Sequence, residues 1–228
     1  MPDLAVGAPF QDGDFVSTDV SYGNPQNVGK VYLVDGATHA IFNQLTDPEF
    51  DLVQDQHFGG QIGASLAAVG DLDGDGMTDI IAGVPHHIGE PDAKEEILGG
   101  KALVFSGETG ALLFTLEDPT EEEDGRFGAA VAALGDVDND GVADLLVGVP
   151  GKDIGGEDGV PNVGLAYVFS GGTGGLIRTV NHPDFGGAEA GAGFGSALAN
   201  AGDIDHDGVS DMRGLLHLMM STPQFQLT

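Results

Sequence analysis

Asp71-Leu-Asp73-Gly-Asp75-Gly-Met77-Thr-Asp79 runs directly into Ile80-Ile-Ala-Gly83-Val-Pro85, and the phrase returns as Asp136-Val-Asp138-Asn-Asp140-Gly-Val142-Ala-Asp144 followed by Leu145-Leu-Val-Gly148-Val-Pro150. A third acidic loop reads Asp203-Ile-Asp205-His-Asp207-Gly-Val209-Ser-Asp211. The loops start 65 and 67 residues apart (Asp71 to Asp136, Asp136 to Asp203), and self-similarity at a fixed long period marks a repeat architecture. Each loop places carboxylates at positions 1, 3, 5 and 9 and glycine at position 6. Four carboxylates this close oppose one another's ionisation unless a cation lies among them. An all-oxygen donor set of this density suits calcium, with the backbone carbonyl of position 7 (Met77, Val142, Val209) as a further ligand because that side chain varies freely. Gly76, Gly141 and Gly208 are expected at positive φ, where a side chain is costly.

A helix-loop-helix calcium site is excluded. It requires a bidentate acid at position 12, where this chain has Ala82, Val147 or Gly214, and apolar β-type residues follow instead of a helix.

Outward from the loops, every unit is punctuated alike. Nine residues before each loop stands Ile62-Gly63, Phe127-Gly128 or Phe194-Gly195. The chain enters midway through the later phrase, as Asp3-Leu-Ala-Val-Gly7-Ala-Pro9. Further apolar runs follow, Lys30-Val-Tyr-Leu-Val34, Lys101-Ala-Leu-Val-Phe105 and Leu165-Ala-Tyr-Val-Phe169, and a last run closes the unit, as in Ala111-Leu-Leu-Phe-Thr-Leu116. Short apolar runs bounded by Gly, Pro and Asp predict strands joined by turns, four to a unit. The runs at 64–69, 129–134 and 196–201 are alanine-rich and carry helix propensity. They are short for helices, and small side chains suit the innermost strands of radially arranged sheets, so inner strands are predicted.

These residues resemble FG-GAP repeats, as found in the N-terminal β-propeller of integrin α-chains and in bacterial and archaeal surface proteins. Phe127-Gly128 and Phe194-Gly195 supply one half of the name; Val6-Gly-Ala-Pro9, Gly83-Val-Pro85 and Gly148-Val-Pro150 supply the other. The likeness covers about residues 3 to 211, with Ile62 replacing the usual phenylalanine. It implies an all-β chain forming a partial β-propeller of about three four-stranded blades: 3–50 (strands two to four), 58–119, 127–183 and 194–228 (strand one with an atypical tail), within one incomplete domain, 1–228. The resemblance also implies two or three calcium ions on one face of the disc. The predicted ligands are Asp71, Asp73, Asp75, Met77 and Asp79; Asp136, Asp138, Asp140, Val142 and Asp144; and Asp203, Asp205, Asp207, Val209 and Asp211. After Asp211 the pattern is lost, because Met212-Arg-Gly-Leu-Leu-His-Leu-Met-Met220 lacks the Gly-x-Pro ending. About three blades leave sheet edges open, so self-association, or membership of a longer chain, is expected.

Composition agrees with a turn-dense β protein: 39 glycines occur among recurrent apolar runs, and 41% hydrophobic residues suffice for a core. A net charge of −30 with 7 Lys plus Arg excludes a nucleic-acid phosphate binder and disfavours anionic membranes. The loops hold 12 of the 37 acids, and the remainder fit a saline or calcium-rich setting where charge is screened. No run of about 18 apolar residues is present, so no direct membrane insertion is expected. Cysteine is absent and gives no reading of the compartment. Extracellular or cell-surface placement follows from calcium and from the resemblance, with any export signal expected upstream.

The function expected is that of a non-enzymatic, calcium-binding module for protein or carbohydrate binding or cell adhesion. Its partner-facing loops would be Gln11 to Gly29, His86 to Gly99 and Gly151 to Gly164. The alternatives are an accessory propeller of a secreted hydrolase, of the kind that cleaves glycosylphosphatidylinositol anchors, or a structural surface-layer module. No Gly-x-Ser-x-Gly elbow or His-Glu-x-x-His helix occurs. His86-His87 with Glu90 reads as a hydrated loop before it reads as a metal pair, and Glu121-Glu-Glu-Asp124 as a solvated turn.

Overall fold

The computed structural model describes residues 2–12, 27–48, 60–86, 99–120, 125–155, 159–184 and 187–202. Eleven strands are assigned among them: β1 (Leu4–Ala8), β2 (Lys30–Val34), β3 (Ile41–Leu45), β4 (Ser65–Gly70), β5 (Asp79–Val84), β6 (Lys101–Phe105), β7 (Leu112–Glu117), β8 (Ala130–Ala133), β9 (Leu145–Val149), β10 (Leu165–Phe169) and β11 (Leu176–Asn181). They form three antiparallel sheets in chain order, β1-β2-β3, β4-β5-β6-β7 and β8-β9-β10-β11. The chain is all-β, and each sheet is one propeller blade.

The alanine-rich runs at 65–70 and 130–133 are strands because each finds a neighbour. Leu66 pairs with Ala82 and Ala67 with Ile81, while Ala130 pairs with Gly148 and Val131 with Val147. Strand β4 also packs on β8, so small residues line the side where blades converge. The third such run, 196–201, pairs with no strand among the described residues.

The cores lie between blades. One joins Ile62 to Val31 and Leu33 of the first blade and to Ile80, Ala82 and Leu103 of the second. Another joins Val69, Ile81, Val104 and Leu116 of the second to Phe127, Leu145, Val147 and Tyr167 of the third. Phe127 is fully buried, with ring centroids 6.2 Å from Tyr167 and 5.9 Å from Phe169. Ile62, Phe127 and Phe194 each make a parallel bridge to the glycine opening the preceding blade's third strand, Gly29, Gly100 and Gly164.

The two halves of the repeated phrase meet at these junctions. A Cβ on Gly83 would overlap the Gly128 carbonyl oxygen, and one on Gly7 or Gly148 would overlap that of Gly63 or Gly195. Glycine in each Gly-x-Pro is therefore required by the backbone of the next blade.

Buried ion pairs reinforce the junctions. Lys101 Nζ lies 3.0 Å from the Asp47 carboxylate, joining the second blade to the first. Lys152 Nζ lies 3.1 Å from Asp118, which also accepts the Tyr167 hydroxyl at 3.1 Å, joining the third blade to the second. Lys152 donates to Thr120 Oγ1 as well. These aspartates each precede a proline at the end of a blade's fourth strand, and His182-Pro183 holds the same place in the third blade. The sequence reading gave the aspartates no role; the repeated Asp-Pro ending was the available signal.

Candidate metal centre

Both described acidic loops leave an inner strand and enter the next strand of the same sheet. In the first, Asp71 accepts from Gly74 N (2.8 Å) and Gly76 N (2.9 Å), Asp73 from Asp75 N (3.0 Å), and Asp75 from Met77 N (2.7 Å). In the second, Asp136 accepts from Asp140 N (3.0 Å) and Gly141 N (2.9 Å), Asp138 from Asp140 N (3.1 Å), and Asp140 from Val142 N (2.8 Å). Side chains satisfying their own loop's amides is the ordinary way in which Asp shapes a turn. Gly76 and Gly141 adopt φ of 90° and 92° with open space around them, so conformation requires glycine there.

The ninth-position acids differ from the rest because they are buried. Asp79 Oδ2 accepts from Leu72 N (2.8 Å) and Oδ1 from Gly107 N (2.9 Å), and Asp144 accepts from Val137 N (2.6 Å) and Gly171 N (3.1 Å). Each therefore ties its loop to the turn after the third strand of its blade. Burial raises the pKa of Asp79 despite the Gly107 and Leu72 amides, and Asp73 and Asp75 raise it further. Asp144 is raised in the same way, by burial first, against the Val137 and Gly171 amides.

Carboxylate oxygens of Asp71, Asp73 and Asp79 lie within 4.8 Å of one another, as do those of Asp136, Asp138 and Asp144. Asp75 and Asp140 stand in the same loops outside these groups, with Oδ2 3.4 Å from Ser106 Oγ and Ser170 Oγ respectively. Met77 is half exposed at 50%. Among the described residues, no Lys or Arg pairs with either cluster. Three converging carboxylates, one of them buried, form a donor set that fits a hard cation. Asp203, Asp205, Asp207, Val209 and Asp211 lie outside the described residues, as do His87, Glu90, Glu121 to Asp124 and most of Gln11 to Gly29 and His86 to Gly99. His86 follows β5 and donates its amide to Gly60 O at 3.3 Å.

Two further features lie beside the first loop, of which the cleft was not anticipated from sequence and the second bears out the alignment of Asp3 with Asp79 and Asp144. A cleft of about 720 Å³ lies between the first two blades, bordered by Asp3, Leu4, Asp35, Phe42, Met77 and Glu108. Asp3 Oδ1 accepts from Gly36 N at 2.9 Å, which repeats the bonds of Asp79 to Gly107 and Asp144 to Gly171. Asp3 is thus the structural equivalent of a ninth-position acid.

The FG-GAP repeat model matches residues 63–93 and 127–169, covering both described loops. The chain is 28% identical over 227 residues to integrin alpha-3 of Mus musculus, covering 90% of this chain and 20% of that protein. It is 32% identical over 176 residues to integrin alpha-X of Homo sapiens (72% and 14%) and 32% over 180 residues to integrin alpha-PS2 of Drosophila melanogaster (74% and 12%). The chain is an integrin-like FG-GAP repeat protein. It spans a fifth or less of the length of these relatives. Among the described residues of this FG-GAP protein, no helix is long and apolar enough to cross a membrane.

Proposed function

We propose that this chain is a calcium-stabilised, non-enzymatic β-propeller module, one domain over 1–228, that presents loops to a protein or carbohydrate partner outside the cell or at its surface. The observation carrying the proposal is the duplicated carboxylate cluster, Asp71/Asp73/Asp79 and Asp136/Asp138/Asp144, at equivalent points of consecutive blades. The first ion takes Asp71, Asp73, Asp75, Asp79 and the Met77 carbonyl, and the second takes Asp136, Asp138, Asp140, Asp144 and the Val142 carbonyl. The third takes Asp203, Asp205, Asp207, Asp211 and the Val209 carbonyl. Calcium supplies the positive charge that lets each buried ninth acid ionise beside its neighbours. The similarity to integrin α-chains supports the adhesion-type role. The partner-facing segments are Gln11 to Gly29, His86 to Gly99 and Gly151 to Gly164.

Calcium titration calorimetry on chelator-stripped protein tests the reading, paired with thermal melts. Two or three ions are expected, with stability rising by about 2.7 kcal/mol per site at calcium one hundred times Kd if only the folded state binds. Asp138→Ala is expected to remove one ion. An unchanged stoichiometry in that variant, or no binding by the folded wild type, overturns the metal assignment.

A further inference from the structure

The turns joining the third and fourth strands of the second and third blades read Ser106-Gly-Glu-Thr-Gly110 and Ser170-Gly-Gly-Thr-Gly174. Each lies against the acidic loop of its own blade. A Cβ on Gly107 would overlap the Thr78 carbonyl oxygen, and one on Gly171 the Ala143 carbonyl oxygen, at the eighth position of each loop. Gly107 N and Gly171 N donate to the buried ninth acids, Asp79 and Asp144. Beside them the serine hydroxyls reach the fifth acids: Ser106 Oγ lies 3.4 Å from Asp75 Oδ2, and Ser170 Oγ 3.4 Å from Asp140 Oδ2. The contact recurs although the two loops differ in sequence at positions 2, 4, 7 and 8.

Asp71, Asp73, Asp136 and Asp138 accept from amides of their own loops, so local chain geometry orients them. Asp75 and Asp140 use Oδ1 in the same way, for Met77 N and Val142 N, and turn Oδ2 toward the serine. A hydroxyl has one proton and two lone pairs. Ser106 Oγ accepts from Thr109 N at 3.2 Å and Thr109 Oγ1 at 3.0 Å, and Ser170 Oγ from Thr173 N at 3.2 Å, which leaves each proton for the carboxylate. Both serines are buried, so the proton is not given to bulk water. At 3.4 Å the contact is longer than the roughly 2.7 Å of a full O–H···O bond, so the acid is held with room to move toward the three converging carboxylates of its loop.

We propose that Ser106 and Ser170 are positioning residues for the two metal loops, each hydroxyl aiming the fifth-position carboxylate at the cation from a turn 31 or 30 residues onward. The inference rests on the calcium reading above and extends it, because it places part of each site outside the acidic nonapeptide. Outer hydrogen-bond partners fix the orientation of metal ligands, and losing one lowers affinity by roughly 10- to 100-fold. Asp75 and Asp140 are exposed, so water partly replaces a lost hydroxyl and the low end of that range is expected.

Calcium titration calorimetry of the full chain, with Ser106→Ala and Ser170→Ala beside wild type, tests the proposal. Each variant is expected to bind as many ions as wild type with one Kd raised about tenfold, and the double variant to have two raised. Thr109→Val and Thr173→Val control for turn shape, since Thr109 Oγ1 and Thr173 Oγ1 accept from Ala111 N and Gly175 N within the turn. They should lower the melting temperature while leaving each Kd within about twofold of wild type. Melts in chelator and in calcium give a second readout. Ser106→Ala should lose more stability in calcium than in chelator, whereas a serine that only shapes the turn loses the same in both. Unchanged calcium affinity in both serine variants overturns the proposal, as does equal weakening by the threonine variants. Loss of a whole ion with an unchanged circular dichroism spectrum would make the serine a ligand and overturn the positioning role. No binding by the folded wild type strikes the calcium reading itself and this proposal with it, whereas wild-type binding with unaltered serine variants strikes the serine role alone.

Discussion

Among the described residues, the second blade is sealed on both sides and the first is not, although the two are built from the same phrase. Every residue of β5 and β6 is buried, whereas β1 is exposed at Leu4, Ala5 and Val6, and β3 is exposed at Ile41 and Phe42. The apolar letters are alike; the neighbours differ. The second blade lies between the first and third and has its inner strand, so its aliphatic side chains are covered by β4 and by both adjoining cores. In this architecture a strand's burial is conferred by the adjoining strand and blade. Stability should therefore be unevenly distributed, with the largest effects at the inter-blade contacts around the second blade.

The strongest way to break the contrast is to remove one partner of a buried pair. Lys101 and Asp47 are 1% and 3% exposed at their side chains, so Lys101→Met leaves a carboxylate in the core, at an expected cost of about 3–5 kcal/mol. The double variant with Asp47→Leu should recover most of that loss, because both charges of the pair are removed together. Urea denaturation of the two variants measures both, and a single variant within about 1 kcal/mol of wild type would show that water reaches the site.

Next in size is glycine at the blade junction. Gly83→Ala forces a methyl group into the Gly128 carbonyl oxygen and the Ser65 hydroxyl, an overpacking expected to cost about 3 kcal/mol. Gly7→Ala meets the Gly63 carbonyl in the same way, but among the described residues β1 pairs with β2 alone, so its loss should be smaller. Equal falls in melting temperature would show that the first blade is as firmly held as the second. Ile80→Ala against Leu4→Ala sharpens the same point: about 2–3 kcal/mol is expected at the buried position and within about 0.5 kcal/mol at the exposed one.

The ease of reading the sequence followed the range of the interactions. The acidic loops, the turn glycines and the strands between them were legible because their determinants lie within a dozen residues, as in Asp71 to Asp79. The alanine-rich runs were ambiguous in isolation and became strands where β5 and β9 lie alongside. Lys101 opened a predicted strand, and Asp47 was given no role. Their pairing spans 54 positions and two blades, and no local pattern encodes it. The same holds at the metal loops: the carboxylate ladder is local, but the clamp from Gly107 to Asp79 comes from a turn 28 residues onward. The Asp-Pro repetition at the blade ends is present in the sequence but carries no chemistry of its own until its lysine partners are in place.

The smallest expected effect separates the same turn in the different blades. Asp35, at the start of the turn after β2, occupies the place of Ser106 and Ser170. Its carboxylate accepts from Thr38 N at 2.6 Å and Ala37 N at 2.8 Å. The Thr38 amide is the main reason its pKa is lowered, followed by the Thr38 hydroxyl and the Ala37 amide. A depressed folded-state pKa contributes stability that is present above the ordinary aspartate value of about 4 and is lost as pH falls through the lower folded value. The turn of the first blade should loosen in acid through this group, while the serine turns of the other two have no carboxylate at that position to protonate. Because Asp35 lies in a surface turn whose Ala37 and Thr38 are exposed, the change should be local and confined to the Ala37 and Thr38 amides. NMR titration of those amides in wild type and Asp35→Ser reads it directly: the acid transition should vanish in the variant, and its persistence would sink the assignment to Asp35.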